Sequence, residues 1–155
     1  MDNQFIRESL KIAKTSVANG NHPFGALLVD ENDIIICVAE NTQITDMDCT
    51  SHAELNLVSK VSKLKLSKEK LAMCTLYTST EPCAMCAGAI AWLKIGKVVY
   101  GCSSIEMSKI TGGGSFKMPC QTVFSYSTNP IPVVGPILEE ECKIVHQEFW
   151  SNYKK

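Results

Sequence analysis

The sequence predicts an α/β fold in which a mixed β-sheet is covered by helices on both faces. Two short apolar runs, Gly25–Asp30 and Ile34–Ala39, flank three polar turn residues and indicate a β-hairpin. After the hairpin, apolar runs typical of strands alternate with segments whose apolar residues recur at helical spacing. Strands and helices that alternate in this way after an initial hairpin imply a mixed sheet between two layers of helices.

Each element is indicated by its own pattern, beginning with a helix near residues 2–19 that Gly20 ends as a C-cap. After the hairpin, a polar loop leads to a helix from about His52 to Val61, and the lysine-rich stretch beyond it is expected to be a solvated helix end and linker. The next elements are, in chain order, a buried strand at Cys74–Ser79, a helix at Cys83–Lys94, a strand at Lys97–Gly101 and a short strand at Pro132–Gly135. Residues 102–130 are expected to be mostly loop, because glycine, proline and serine are frequent there. The last helix has an inner stripe that comprises Leu138, Cys142, Val145, Phe149 and Tyr153.

Length and composition indicate one domain over residues 1–155. The chain is 45% hydrophobic and 20% charged, which is ordinary for a soluble globular protein. Its formal net charge of -1 gives no electrostatic footprint for nucleic acid or an anionic membrane, although a local basic patch is compatible with that total. With no signal peptide and no run of about 18 apolar residues, we expect a cytoplasmic protein without a membrane span. The eight cysteines are therefore expected to be reduced thiols or metal ligands rather than disulfides.

Three residues supply the ligands of a predicted metal site. Cys83 and Cys86, in the segment EPCAMC, lie three residues apart and would share a face at the start of a helix, where the helix dipole favours thiolates. His52, in the segment SHAE, supplies an imidazole at the start of another helix. Two thiolates and one imidazole are a zinc ligand set, and a zinc ion with only three protein ligands keeps an open position, as catalytic sites do.

Glu54 is the predicted proton carrier of this site. Because residues i and i+2 do not share a helix face, His52 and Glu54 reach one pocket only if their helix points its N-terminal end at the metal. Zinc lowers the pKa of water toward neutrality, and a neighbouring carboxylate can accept that proton and return it to the ring and the departing amine. The order H-x-E followed by P-C-x-x-C is a known signature of zinc-dependent deaminases, and applying it here predicts hydrolytic deamination of a nucleobase ring.

Each motif also has another interpretation when it is taken alone. A C-x-x-C pair occurs in redox sites and in structural zinc sites, where Cys74 or His22 would have to supply a further ligand. A zinc-binding fold whose pocket recognises a partner without catalysis is a hypothesis of another class. It predicts that Glu54→Gln leaves function intact, whereas the enzyme hypothesis predicts loss of turnover with zinc retained.

The segments TSHAE and TSTEPCAMCAGAI, together with the order of helices and strands, resemble the cytidine-deaminase-like superfamily, and most closely its guanine deaminase and tRNA adenosine deaminase branch. The resemblance covers nearly the whole chain. It implies a three-layer α/β/α fold with a five-stranded mixed sheet, usually assembled as a homodimer or a larger oligomer. It also implies a zinc ion held by His52, Cys83 and Cys86, with Glu54 as the proton shuttle.

The same resemblance implies which residues contact the substrate. Asn41, eleven residues before His52, stands where these families place an asparagine that hydrogen-bonds the base. Ala53 would offer its backbone N–H to a carbonyl or a ring nitrogen. Phe24 and Trp92 resemble aromatic pocket positions of guanine deaminases, although ordinary core packing is the alternative for both.

The substrate is expected to be a small free nucleobase or nucleoside, with guanine as the first hypothesis. A tRNA adenosine deaminase and a cytosine or nucleoside deaminase are the alternatives. The glycine run Gly112–Gly114 resembles a segment of tRNA adenosine deaminases, and a flexible loop is the alternative. The acidic residue that grips the base in guanine deaminases has no clear equivalent in this sequence. Three consecutive glutamates at 139–141 speak against an RNA surface on the last helix, and Tyr153 either closes a pocket or packs that helix.

Overall fold

A computed structural model of the chain describes residues 1–114 and 116–153. The helices are α1 (Asp2–Ala18), α2 (Ala53–Lys63), α3 (Lys68–Ala72), α4 (Ala84–Leu93), α5 (Ser104–Thr111), α6 (Cys120–Ser125) and α7 (Glu139–Asn152). The strands are β1 (Gly25–Val29), β2 (Ile35–Glu40), β3 (Thr75–Thr80), β4 (Lys97–Cys102) and β5 (Val133–Val134). In the part of the chain that the structure describes, no helix is both long and apolar enough to cross a bilayer.

The five strands form one mixed sheet in the order β2-β1-β3-β4-β5. β1 pairs antiparallel with β2 and β3, whereas β3 pairs parallel with β4, and β4 with β5. Helices α2, α4 and α6 pack on one face of the sheet, and helices α1 and α7 pack on the other. The predicted three-layer α/β/α fold with a five-stranded mixed sheet is thereby confirmed.

Strand β1 is apolar at every position because it is buried on both faces of the sheet. Ala26 and Leu28 point into the core under α2 and α4, whereas Leu27 and Val29 point into the core under α1 and α7. Successive side chains of a strand face opposite sides of the sheet, so a strand covered on both sides is apolar throughout. The sheet and its two helix layers fix the ends of β1 and β3, and the pocket described below lies beside those ends.

The predicted helices and strands are present, and the predicted ends are shifted by at most two residues. The expectation that residues 102–130 are mostly loop is wrong, because α5 and α6 lie within them. The N-cap of α5 is Ser103, whose hydroxyl accepts a hydrogen bond from the backbone N–H of Glu106 at 3.3 Å. A serine followed three residues later by glutamate is a helix-start pattern, so the sequence did carry a signal for α5.

The lysine-rich stretch is also more structured than expected, because it contains the short helix α3. Lys70 of this helix forms ion pairs with Asp30 at 2.9 Å and with Glu31 at 2.8 Å, both in the hairpin turn. One lysine of the stretch thus ties α3 to the turn between β1 and β2.

Candidate active site

The three predicted metal ligands meet where the N-terminal ends of α2 and α4 approach each other. His52 is the N-cap residue of α2, Cys83 is the N-cap residue of α4, and Cys86 lies in the first turn of α4. Their ligand atoms all lie within 4.8 Å of one another. His52 Nδ1 is 3.6 Å from Cys83 Sγ and 3.5 Å from Cys86 Sγ. Folding therefore brings an imidazole and two thiols together across 31 residues of sequence.

The donor set and its spacing fit a tetrahedral zinc ion. Zinc–sulfur bonds near 2.3 Å and zinc–nitrogen bonds near 2.0 Å at tetrahedral angles place nitrogen and sulfur about 3.6 Å apart. Among the described residues, no fourth histidine, cysteine or carboxylate joins the cluster. Cys74 donates instead to the carbonyl of Lys70, and His22 bonds to Gln43. Neither residue completes a structural four-ligand site, so a zinc ion held by the three ligands would keep one position open, as catalytic zinc sites do.

The two thiols and the imidazole shift one another's pKa values. The pKa of Cys83 is lowered to about 4, chiefly because its sulfur accepts a hydrogen bond from the Cys86 thiol and further because it lies beside His52. The same donation, together with burial, raises the pKa of Cys86. The pKa of His52 is raised, first by its hydrogen bond with Cys83. A metal ion at the cluster would displace the proton that Cys86 now donates, since only thiolates bind metals strongly.

Glu54 lies beside this cluster and is only 4% exposed. Thr78 on β3 donates a hydrogen bond from Oγ1 to Glu54 Oε1 at 2.7 Å. Burial raises the pKa of Glu54, and the bond from Thr78 offsets part of that rise. A carboxyl group whose pKa is raised above its ordinary value holds a proton more readily than an exposed one and can pass it to a bound molecule. His52 and Glu54 line one pocket, so α2 does point its N-terminal end at the cluster, as the sequence predicted.

The pocket has a volume of about 290 Å³ and receives side chains from the ends of several elements. Phe24 and Asn41, both predicted as substrate contacts, line it together with His52 and Glu54. Ala53 is the first residue of α2, between the ligand and the carboxylate, so its N–H has no acceptor within the helix and is available to a bound molecule.

Trp92 is not brought to this pocket. Its side chain is 85% exposed and lines a separate surface depression with Gly88 and Tyr126. The helix that carries it, α4, has the sequence AMCAGAIAWL, which is apolar on every side. A helix with no polar stripe gives no indication of which face is buried, so the sequence could not place Trp92.

Sequence reasoning missed Gln43, which holds Asn41 in position. Gln43 Oε1 accepts a hydrogen bond from Asn41 Nδ2 at 2.8 Å, and the Gln43 backbone N–H donates to Asn41 Oδ1 at 3.0 Å. His22 Nδ1 lies 3.1 Å from the same Gln43 oxygen. An asparagine that bonds the backbone two residues later is a common turn pattern, and this was the only sequence signal for the arrangement.

Glu81 also lines the pocket, but both of its oxygens are engaged by backbone. Oε2 accepts from the N–H of Ser104 at the start of α5, and Oε1 accepts from the N–H of Cys120 at the start of α6. A carboxylate between two helix N-termini is favourably placed. Glu81 therefore anchors α5 and α6 beside the metal cluster, whereas Glu54 keeps an oxygen available.

The C-terminal helix closes the pocket with Trp150 rather than with Tyr153. Tyr153 lines a neighbouring groove between α1 and α7, and its hydroxyl is 3.5 Å from His22 Nε2. The rings of Phe149, Trp150 and Tyr153 surround the His22 ring at centroid distances of 5.2 to 5.8 Å. His146 is buried beside Phe24 at a ring distance of 5.2 Å.

The chain is similar to several known deaminases. The family model of the cytidine and deoxycytidylate deaminase zinc-binding region matches residues 1–102. A probable cytosine deaminase from Schizosaccharomyces pombe is 40% identical over 154 residues, which cover 97% of this chain and 93% of that protein. A tRNA-specific adenosine deaminase from Bacillus subtilis is 31% identical over 154 residues, which cover 99% of this chain and 91% of that protein. Among solved structures, a guanine deaminase from Nitrosomonas europaea has the same fold, with a TM-score of 0.82 at 22% identity over 96% of this chain and 84% of that one.

Proposed function

The chain belongs to the family of the cytidine and deoxycytidylate deaminase zinc-binding region, and we propose that it removes an amino group from a free nucleobase by hydrolysis. The main observation behind this proposal is the buried carboxyl group of Glu54 beside a cluster of three metal ligands, inside a pocket of about 290 Å³. Zinc held by His52, Cys83 and Cys86 would act as a Lewis acid that lowers the pKa of water toward neutrality.

The chain's own residues supply the proton transfers and hold the base. Thr78 engages Oε1 of Glu54, so Oε2 is the atom that exchanges a proton with the ring nitrogen and with the departing amine. Asn41, oriented by Gln43, and the N–H of Ala53 bind the polar edge of the base. Phe24 contacts the ring from the wall of the pocket.

A free base is favoured over a nucleotide or an RNA because the pocket offers no counter-charge for phosphate. Among the described residues, neither the metal pocket nor the adjoining pocket around Cys49 and Phe116 is lined by lysine or arginine. Proteins that bind phosphates usually pair them with these cations. The carboxyl groups that line the metal pocket, those of Glu54 and Glu81, offer no positive charge to a phosphate.

Guanine is the base proposed first, and cytosine is the second candidate. The family resemblance in the metal motifs supports guanine, whereas the relative that is 40% identical carries the name of a probable cytosine deaminase. A relative named as a tRNA-specific adenosine deaminase is also present, so an RNA substrate belongs among the outcomes of the test.

The test is ammonia release by the zinc-loaded chain with guanine, cytosine, adenine, adenosine and an anticodon stem-loop RNA. The proposal predicts turnover of at least one free base that is lost after zinc is chelated and returns when zinc is restored. Turnover of RNA alone would overturn the choice of a free base. An inactive chain in every arm, with zinc bound, would favour the partner-recognition hypothesis instead.

We also propose that the chain assembles as a homodimer through the surface around Trp92. Trp92 on α4 and Tyr126, the C-cap residue of α6, are 85% and 88% exposed and line one depression. Exposed aromatic clusters of this kind are typical of protein interfaces. Light scattering is expected to give twice the chain mass for the native protein and the single mass for Trp92→Lys; a monomeric native protein would contradict the proposal.

A further inference from the structure

A chain of hydrogen bonds runs from α7 to the end of β3 and ends at the metal pocket. Trp150 Nε1 donates to His146 Nδ1 at 3.2 Å, and His146 Nε2 lies 2.7 Å from Thr80 Oγ1. His146 and Thr80 are each only 1% exposed. Thr80 lines the metal pocket together with Glu54 and Asn41. None of these three polar residues belongs to the metal cluster.

The direction of every hydrogen bond in this chain is fixed by Trp150. An indole N–H can only donate, so His146 Nδ1 must be the acceptor and carries no proton. Burial lowers the pKa of His146 to about 4, so the imidazole is neutral at neutral pH and its one proton is on Nε2. His146 Nε2 therefore donates to Thr80 Oγ1. The opposite arrangement would set two N–H donors against each other at 3.2 Å.

The Thr80 hydroxyl is thereby left as a donor. Thr80 Oγ1 accepts a hydrogen bond from His146 Nε2, and among the described residues this hydroxyl forms no other hydrogen bond. The hydroxyl proton is free to point at a molecule in the pocket. A molecule that offers this hydroxyl no acceptor binds more weakly, because the buried donor stays unpaired. A molecule that places a donor of its own there is repelled.

We propose that Thr80 selects the substrate by donating a hydrogen bond to an acceptor atom of the base, either a carbonyl oxygen or a ring nitrogen without hydrogen. His146 and Trp150 act as positioning residues, because they keep the Thr80 proton directed at the base. This inference rests on the proposed function and adds a specificity residue to it. A base with an amino group at the same place, which presents hydrogens rather than a lone pair, is disfavoured.

The experiment compares Thr80→Val, which keeps the shape and removes the hydroxyl, with Thr80→Ser, which keeps the hydroxyl. With the free base that the ammonia assay identifies, kcat/KM of the valine variant is expected to be about threefold to tenfold below that of the serine variant, the usual effect of one neutral hydrogen bond. The loss is expected mainly in KM, with bound zinc unchanged, because the contact is present before and during the reaction.

A second variant separates this role from a structural one. Thr80→Val alone leaves the His146 N–H buried without an acceptor, and this lowers the melting temperature. The double variant T80V/H146L removes both partners, so its melting temperature is expected to rise above that of T80V while KM stays high. A double variant with the KM of T80S would show that the hydroxyl acts only on stability and would overturn the inference.

A pair of bases then identifies the acceptor. Guanine has a carbonyl where 2,6-diaminopurine has an amino group, and its adjacent ring nitrogen N1 carries a hydrogen that the diamino base lacks. Cytosine and 2,4-diaminopyrimidine differ in the same two places. If T80V weakens binding only of the carbonyl member, the acceptor is the carbonyl. If T80V weakens binding of both members, the acceptor is a ring nitrogen that carries no hydrogen in either base, and if it weakens binding only of the diamino member, the acceptor is N1. Equal affinities of T80V and T80S for both members would overturn this inference alone. No turnover of any base by the native chain would overturn the proposed function and this inference with it.

Discussion

Lowering the pH from 7 to 5 is expected to destabilise this protein through one buried histidine. His146 is 1% exposed, and its pKa in the folded chain is lowered to about 4 by burial, with no charged partner contributing to the shift. In the unfolded chain the same imidazole titrates near 6.5. Between these two values the unfolded state binds more protons than the folded state, so the free energy of unfolding falls as the pH falls.

The size of this effect follows from the two pKa values. Proton linkage between 6.5 and about 4 gives a loss of about 2 kcal/mol between pH 7 and pH 5, and of about 3 kcal/mol below pH 4. Whole domains of this size are stable by about 5–15 kcal/mol, so a single side chain accounts for a measurable share.

The assay is urea unfolding at half-unit pH intervals from 7 to 5 for the native chain and for His146→Leu. Leucine has a similar volume and does not titrate, so the carboxylates contribute equally to both curves and cancel in the difference. The native chain is expected to lose about 2 kcal/mol more than the variant over this range. Parallel curves for the two proteins would refute the reasoning, because they would mean that His146 binds no fewer protons when it is buried.

Two further predictions concern packing and the pocket. Gly25→Ala is expected to destabilise the chain by about 1–3 kcal/mol in thermal unfolding, since a Cβ there would lie 2.4 Å from the carbonyl oxygen of Ser9. The control is Gly88→Ala in helix α4, where a Cβ would meet open space, and it is expected to raise stability by about 0.5–1 kcal/mol. Equal effects of the two substitutions would contradict the close approach of α1 to Gly25. Gln43→Ala is expected to raise KM about threefold to tenfold with zinc content unchanged, because Asn41 loses the oxygen that holds its amide; an unchanged KM would show that Asn41 is positioned in another way.

The metal cluster was predictable from the sequence because its chemistry is local. Cys83 and Cys86 lie within one turn of helix, and His52 and Glu54 are separated by one residue, so each pair is visible as a short motif. The sheet was predictable for a related reason, since strands such as β1 are apolar throughout and are bounded by turn residues. Short-range patterns of this kind do not depend on how distant segments pack.

The remaining features depend on packing between distant segments. Thr80 and His146 are 66 residues apart, and only the docking of α7 over the end of β3 makes them partners. Trp92 lies on a helix that is apolar all round, so its exposure is decided by the elements packed against α4. The helix α6 has only six residues, too few for a clear period, and it was expected to be loop.

The most direct test of the central claim compares the native chain with Glu54→Gln and with Glu69→Gln, which makes the same change on the exposed helix α3. Zinc is measured by atomic absorption, and ammonia release is measured with the best free base. All three proteins are expected to bind about one zinc ion per chain, as three protein ligands and an open position require, while only Glu54→Gln loses turnover, by at least about 100-fold. A metal-free protein that is active, or a Glu54→Gln variant that matches Glu69→Gln, would contradict the account.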